Sequence, residues 1–209
     1  MNSSADEFTT IRSKVRFETK VRGSRFIASA LSVQSKAEAE EFIEKVRKEF
    51  WDASHKCFAY RIGADGREFR FTDDGEPNGT AGKPILAAID KFGLTDVLVV
   101  VTRYFGGTKL GVGGLVRAYG ESAELALAKA ERITKYKTHL IEATFPHSHI
   151  SNVMHVVSKL GAKILDTMYD EDVHLRLEVR VSKADELEKA LVDHTRGNVI
   201  VKRSNGLMK

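Results

Sequence analysis

The spacing of apolar and polar positions predicts a series of strands and amphipathic helices in the first part of the chain. Alternating or wholly apolar runs predict strands, and apolar residues recurring every three or four positions predict helices. The predicted strands are 14–21, 25–33, 56–63, 68–72 and 97–102, and the predicted helices are 35–50, 85–92 and 113–130. The run 97–102 is apolar on both faces, which is typical of a buried central strand.

The rest of the chain has a different order of elements. The pattern predicts strands at 138–145, 162–168, 173–181 and 198–203, with helices at 148–160 and from residue 182 onward. This strand–helix–strand–strand–helix–strand order is that of the ferredoxin-like fold. We therefore predict an α+β protein whose first domain covers residues 1–134 and whose second, ferredoxin-like βαββαβ domain covers residues 135–209.

Composition narrows the class of protein. The 209 residues are 42% hydrophobic with three prolines, enough for packed cores and unlike disordered, collagen-like or disulfide-rich chains. The single cysteine, Cys57, cannot form an internal disulfide, which suits a reducing compartment. The longest apolar run, 97–101, is far too short to span a membrane, and the first residues do not resemble a signal peptide. We expect a cytoplasmic protein that does not bind membranes.

The net charge of +4 is unevenly distributed along the chain. Residues 12–25 hold six basic side chains against one acid, Glu18. The interval between Asp96 and Glu121 holds no acid at all. Local excesses of positive charge are the electrostatic signature of nucleic-acid binding, although many basic proteins bind none.

Two glycine-rich loops carry the candidate site. The first (71–84) and the second (103–117) each lie between a predicted strand and a predicted helix. A helix N-terminus presents free N–H groups that attract anions, and glycine lets a ligand approach the backbone closely. The candidate nucleic-acid or anion-binding residues are Lys83, Arg103, Tyr104, Gly106, Gly107, Lys109, Gly111, Gly113, Gly114 and Arg117. The alternative is that these glycines only build tight turns.

Familiar nucleotide-binding motifs do not fit these loops. A P-loop requires Ser or Thr after Gly82-Lys83 and a glycine five residues before that pair, but Pro84 and Pro77 stand there. The run 111–116 lacks the last glycine of a dinucleotide-binding fingerprint. An anion site here would therefore belong to neither class.

Acidic and nucleophilic side chains near the loops could support catalysis. Asp73, Asp74 and Glu76 could bind a cation or act as acid and base, but such residues more often stabilise turns and helix starts. His55 and Cys57 share one face of a strand, yet two ligands do not make a metal site. We assign no catalytic residues, no metal and no cofactor, and leave open a role for these five side chains.

Three segments closely resemble the IMPACT family, in particular its bacterial YigZ-like members. They are HKCFAYRIG at 55–63, FTDDGEPNGTAGKPI at 71–85 and TRYFGGTKLGVGGLVRAY at 102–119. The second domain matches mainly in its order of elements. The sequence departs from the family at Lys56, where members often have a second histidine, at Phe58, which replaces a tyrosine, and at Asn78, which replaces a small residue.

The resemblance implies a fold and a function. It implies a first domain like the α/β sandwich of a ribosomal protein, with a mixed sheet and helices, and a second domain similar to the last domain of elongation factor G. Eukaryotic relatives regulate translation under amino-acid stress by competing for a ribosome-associated activator of an initiation-factor kinase, a partnership that we do not transfer to a bacterial-type chain.

The leading hypothesis is a non-enzymatic RNA- or ribosome-binding protein in regulation of translation, with a translation-associated protein as a further candidate partner. Arg103, Lys109, Arg117 and Lys83 would contact phosphates, and Tyr104 would stack on a base, whereas Phe105 is expected to fill the core. One alternative is an enzyme that uses the loops to hold a phosphorylated or carboxylated small molecule. Another is a protein-interaction module. The sequence predicts no oligomeric state.

Overall fold

A computed structural model describes residues 6–205, which form eleven β-strands and five α-helices. The strands are β1 (Glu7–Ile11), β2 (Val15–Val21), β3 (Ser24–Ser32), β4 (His55–Ile62), β5 (Glu68–Thr72), β6 (Val97–Tyr104), β7 (Arg132–Tyr136), β8 (Thr138–Phe145), β9 (Lys163–Tyr169), β10 (Val173–Arg180) and β11 (Ile200–Asn205). The helices are α1 (Lys36–Glu49), α2 (Gly82–Lys91), α3 (Gly111–Lys129), α4 (Ile150–Lys159) and α5 (Val181–His194), with a short 3-10 turn at His147–His149.

The described residues divide into two compact units. The first is Phe8–Lys135, and the second runs from Tyr136 onward and includes Asp6 and Glu7. None of the helices in residues 6–205 has the length and apolar content needed to cross a membrane.

The first unit is built on a five-stranded sheet with strand order β2-β3-β6-β4-β5. As predicted, β6 is central, and its residues from Val97 to Arg103 are all buried. All four strand pairings are antiparallel, where the sequence had predicted a mixed sheet. The reason is that β2–β3 and β4–β5 are hairpins, which are antiparallel by construction, and β6 runs opposite to both of its neighbours.

Helices cover both faces of this sheet. On one face, α1 buries Phe42, Ile43 and Val46 against Phe58 and other apolar side chains of β4 and β6. On the other face, α2 and α3 enclose the larger core, which includes the fully buried Tyr119. The apolar faces therefore match the helical spacing in the sequence, and the α+β class is confirmed.

The strands β1 and β7 form a separate two-stranded sheet that the sequence analysis missed. Each is only five residues long, and neither has a strongly alternating apolar pattern. Short strands of this kind give little signal in a sequence because their pairing partner decides their conformation.

The second unit has the predicted ferredoxin-like topology. Its four strands lie in the order β11-β8-β10-β9, and all pairings are antiparallel. Along β10 the side chains of Val173, Leu175, Leu177 and Val179 are buried in a core shared with α4 and α5. The residues between them lie on the opposite face of the sheet, because side chains alternate along a strand.

Candidate functional site

The two glycine-rich loops meet at one end of the five-stranded sheet. A cleft of about 360 Å³, here called the α3 cleft, is lined by Glu76 and Pro77 from the first loop and by Phe105, Lys109 and Gly111 from the second. The loops that the sequence singled out separately therefore form one site in the first unit.

The start of α2 is already occupied by a carboxylate of the chain itself. One oxygen of Asp73 accepts hydrogen bonds from the N–H groups of Ala81 (2.9 Å) and Gly82 (2.8 Å), and the other accepts one from Gly79 (2.8 Å). Burial acts to raise the pKa of Asp73, but these backbone donors outweigh it and lower the pKa below its ordinary value. Asp73 thus has the capping role that the sequence favoured. Lys83 lies exposed beside this occupied helix start.

Whereas Asp73 caps α2, no side chain within residues 6–205 caps the start of α3. The residue before it, Leu110, provides no side-chain hydrogen bond, and the first turn contains no acidic residue. The first N–H groups of a helix have no partner within the helix, so this end presents donors and a partial positive charge. Its surface is open, because Gly111, Val112 and Gly113 are all exposed. Of the two helix starts proposed as anion sites, α3 is the open one.

Glycines in the second loop serve different purposes. A Cβ on Gly106 would lie 1.9 Å from the carbonyl carbon of Gly23, so only glycine permits this contact between the loop and the β2–β3 turn. Gly107 and Gly111 have positive φ angles of 82° and 71°, which glycine adopts readily. Gly113 differs, because its φ is not positive and a Cβ there would meet no atom within 4 Å. Close contact therefore explains Gly106 and backbone conformation explains Gly107 and Gly111, whereas neither explains Gly113.

Arg103 is part of a buried ion pair. Its Nη1 donates to Glu76 Oε1 at 2.6 Å, and the two side chains are only 6% and 4% exposed. The Tyr119 hydroxyl donates to the same carboxylate oxygen at 2.8 Å. This network joins the first loop to β6 and α3 beneath the α3 cleft. The charge of Arg103, which the sequence analysis assigned to an anion, is thus balanced by Glu76.

The two aromatic residues after Arg103 differ from their expected roles. Phe105, expected in the core, is 50% exposed and lines the α3 cleft. Tyr104, the expected stacking residue, donates its hydroxyl to Asp52 at 2.8 Å and lies under the Arg25 guanidinium, which is 4.4 Å from the ring centroid. Tyr104 is the last residue of β6 and faces the opposite side of the sheet from Arg103, whereas Phe105 lies just beyond the strand, where the chain leaves the sheet.

A second cleft lies between the turn of the β2–β3 hairpin and the start of α3, and basic residues from both line it. This hairpin cleft, of about 220 Å³, is lined by Arg22 from the β2–β3 turn and by Arg117, Leu110 and Gly114 from the start of α3. Leu110 lines both clefts, so they are adjacent. Arg22, Lys109 and Arg117 are exposed, and none of the three forms an ion pair within residues 6–205. Glu121 is the acid that lines the hairpin cleft.

Two other basic residues of the 12–25 stretch are already paired. Arg12 contacts Glu131 at 2.7 Å, and Arg16 binds both carboxylate oxygens of Glu49 at 2.6 and 2.7 Å. The positive charge of the 12–25 stretch is therefore reduced at these positions. None of the six basic residues of this stretch was among the predicted site residues, although the place of Arg22 beside the turn glycine Gly23 was a usable signal.

The remaining catalytic candidates hold the loops in place. His55 Nδ1 lies 2.8 Å from the carbonyl oxygen of Asp74, whose own carboxylate accepts the N–H of Lys56 at 2.7 Å. The thiol of Cys57 donates to the carbonyl oxygen of Asp73 at 3.0 Å, and burial raises its pKa far above the ordinary value. Burial also raises the pKa of the Tyr119 hydroxyl. Residues 6–205 contain no group of three or more His, Cys, Asp or Glu side chains placed to hold a metal ion.

The fold and this site define a two-domain α+β protein in which two glycine-rich loops meet beside an open, basic helix start. The chain belongs to the IMPACT family: residues 22–127 match the Impact N-terminal domain, and residues 144–198 match a domain of unknown function, DUF1949. It is 32% identical to the IMPACT family member YvyE of Bacillus subtilis, over 93% of this chain and 90% of the relative.

Further similarities agree with this assignment. The chain is 37% identical to the IMPACT family member YigZ of Escherichia coli, over 86% of this chain and 89% of the relative. A crystal structure described as a hypothetical protein superposes with a TM-score of 0.72 at 32% identity, covering 94% of this chain and 96% of the other. The two-domain organisation is thus shared along nearly the whole length.

Proposed function

We propose that this chain is a non-enzymatic RNA-binding protein that acts on the ribosome in regulation of translation, in the cytoplasm. The α3 cleft and the hairpin cleft would together form the RNA site. The translational part of the proposal rests on the family, whose eukaryotic members regulate translation, and the RNA-binding part rests on the geometry of the site.

The observation that carries the proposal is a group of cations around the start of α3, where the described part of the chain provides neither an ion-pair partner for them nor a cap for the helix. Arg22 and Arg117 line one cleft and Lys109 lines the adjacent one, all next to the first turn of α3. Phosphate groups bind favourably to such a helix end, and Lys and Arg supply most of the affinity for nucleic acid. The site therefore has the donors, the charge and the access that a phosphate backbone requires.

The exposed ring of Phe105 adds a second kind of contact. It lines the same cleft as Lys109 and lies 5.5 Å, centroid to guanidinium carbon, from Arg103. Aromatic side chains in RNA-binding proteins stack on unpaired bases, which favours single-stranded segments over duplex. The proposed ligand is therefore a single-stranded part of an RNA, such as a loop of ribosomal RNA.

The enzyme alternative receives less support from the same residues. Asp73 caps α2, Asp74 holds the β4 backbone, and Glu76 is paired with Arg103. A general acid or base needs access to a substrate and a suitable pKa, and a buried thiol with a raised pKa is a poor nucleophile. These carboxylates and the Cys57 thiol support the loops that carry the basic residues.

A pull-down of the whole chain from bacterial lysate tests the proposal. We expect recovery of ribosomal RNA that is lost after nuclease treatment and strongly reduced by the double substitution Lys109→Ala plus Arg117→Ala. The control is Lys45→Ala plus Lys91→Ala, which removes the same charge from two residues that are already paired with Glu41 and Glu124. Recovery of one protein partner that survives nuclease would favour the interaction-module alternative and contradict this proposal.

A further inference from the structure

A second aromatic and basic surface lies at the same end of the sheet. Trp51, the only tryptophan in the chain, is 79% exposed in the loop between α1 and β4. Its chain neighbour Asp52 accepts the hydroxyl of Tyr104 at 2.8 Å, which ties this loop to the last residue of β6. The backbone N–H of Ser54 donates to the carbonyl oxygen of Arg103 at 2.9 Å and holds the same loop at a second point. Trp51 therefore stands on an anchored segment.

Positive charge accompanies this tryptophan. Arg25 stacks over the Tyr104 ring at 4.4 Å and pairs with Tyr104 across β3 and β6. Lys20 is the cross-strand partner of Arg25 on β2 and is exposed. The nearby carboxylates of Asp52 and Glu49 are engaged by Tyr104 and Arg16, which leaves Glu18, two residues from Lys20, as an opposing charge. We call Trp51, Tyr104, Arg25 and Lys20 the Trp51 patch.

We propose that the Trp51 patch is a second contact for single-stranded RNA, on the opposite face of the five-stranded sheet from the α3 cleft. This inference rests on the RNA binding proposed above and extends it. Tyr104 ends β6 in the Trp51 patch and Phe105 follows it directly in the α3 cleft, so one backbone step connects the two surfaces. Arg22 in the β2–β3 turn and Arg25 near the start of β3 place positive charge on both.

The chemistry of the patch matches a nucleic-acid strand. A largely exposed tryptophan leaves apolar surface in contact with water and contributes little to packing. Such residues are typical of binding surfaces. Its ring provides a base-stacking platform, and Lys20 and Arg25 would hold the adjoining phosphates. A single-stranded RNA that passes from Phe105 around the end of β6 to Trp51 would meet two aromatic rings with basic side chains between them.

Because Trp51 is the only tryptophan, its fluorescence reports on the patch alone. The experiment titrates the full chain with an unlabelled oligouridylate of about 12 nucleotides and records tryptophan emission, while anisotropy of the same labelled oligonucleotide measures total binding. We expect emission to fall along the binding curve. Trp51→Ala should weaken binding by about tenfold, and Trp51→Phe should retain most of the affinity.

The control substitution is Phe69→Ala, which removes a 51% exposed ring from β5, the opposite edge strand of the sheet, and should leave affinity unchanged. Binding with constant tryptophan emission and a Trp51→Ala affinity equal to that of the unmodified chain would overturn the second contact and leave the α3 cleft as the RNA site. Absence of any anisotropy change at low salt would overturn both proposals.

Discussion

Substituting Glu76 tests the buried network beneath the α3 cleft. Glu76→Gln preserves the shape of the side chain and an oxygen that can accept the Tyr119 hydroxyl, but it leaves the Arg103 guanidinium without a countercharge at 6% exposure. Removing one partner of a buried ion pair costs about 3–5 kcal/mol. For a domain with a total stability of about 5–15 kcal/mol, that is a large share.

The assay is urea denaturation followed by circular dichroism, which gives the free energy of unfolding, together with the thermal midpoint. We expect the free energy to fall by about 3–5 kcal/mol and the midpoint to fall by about 10 °C or more. The control Glu41→Gln removes an exposed carboxylate that pairs with Lys45 at 66–67% exposure and should change stability by less than about 1 kcal/mol.

A double substitution separates charge burial from simple packing loss. Glu76→Gln combined with Arg103→Met removes both buried charges, so it should destabilise the first unit by less than the sum of the two single changes, with a coupling of about 1–3 kcal/mol. A Glu76→Gln cost as small as that of Glu41→Gln, or strictly additive single effects, would refute the argument that this pair is buried and interdependent.

Three further predictions follow from the same loops. Backbone donors depress the folded-state pKa of Asp73, so its stabilising charge is present above the unfolded pKa of about 3.9 and is lost as pH falls through the lower folded value. Asp73→Asn removes the charge and one of the two acceptor oxygens and should cost about 1–2 kcal/mol at pH 7, and denaturation at pH 3 or below should show that difference shrinking rather than growing. Gly106→Ala should destabilise the first unit by at least about 2 kcal/mol through its clash with Gly23. In melting experiments Gly113→Ala should be neutral or stabilising by up to about 1 kcal/mol, yet it should weaken RNA binding. Equal stability effects at the two glycines would contradict the contact between Gly106 and Gly23. Native Cys57 should resist a thiol reagent at pH 8, with one equivalent modified on unfolding, and rapid labelling of the folded chain would show an accessible thiolate.

Much of the fold could be predicted because its signals are local. The wholly apolar run at Val97–Val101 indicates a central strand, and the helical spacing of Phe42, Ile43 and Val46 indicates an amphipathic helix, whatever the rest of the chain does. The strands β1 and β7 lack such a signal. Their conformation depends on pairing between segments more than 100 residues apart, which a local pattern does not contain.

The sequence indicated the two loops that line the candidate cleft, but not which of their charged side chains are paired. The glycine-rich segments and Lys109 lie at the site, but pairing of Arg103 with Glu76 joins residues 27 positions apart and depends on how the loops pack. The same holds for Arg22, which lines one cleft together with Arg117 where the close approach of Gly23 and Gly106 brings the hairpin turn against the loop. Sequence shows which charges exist, and tertiary packing determines which of them remain unpaired.

The salt dependence of RNA binding tests the central claim most directly. Anisotropy of a labelled single-stranded RNA, measured over a series of salt concentrations, gives the slope of log affinity against log salt. The contacts by Arg22, Lys109 and Arg117 contribute about −2 to this slope, and Lys109→Ala plus Arg117→Ala should make the slope less negative by about 1.4. An affinity that does not change with salt, or a slope unaffected by the double substitution, would contradict the assignment of this site to RNA.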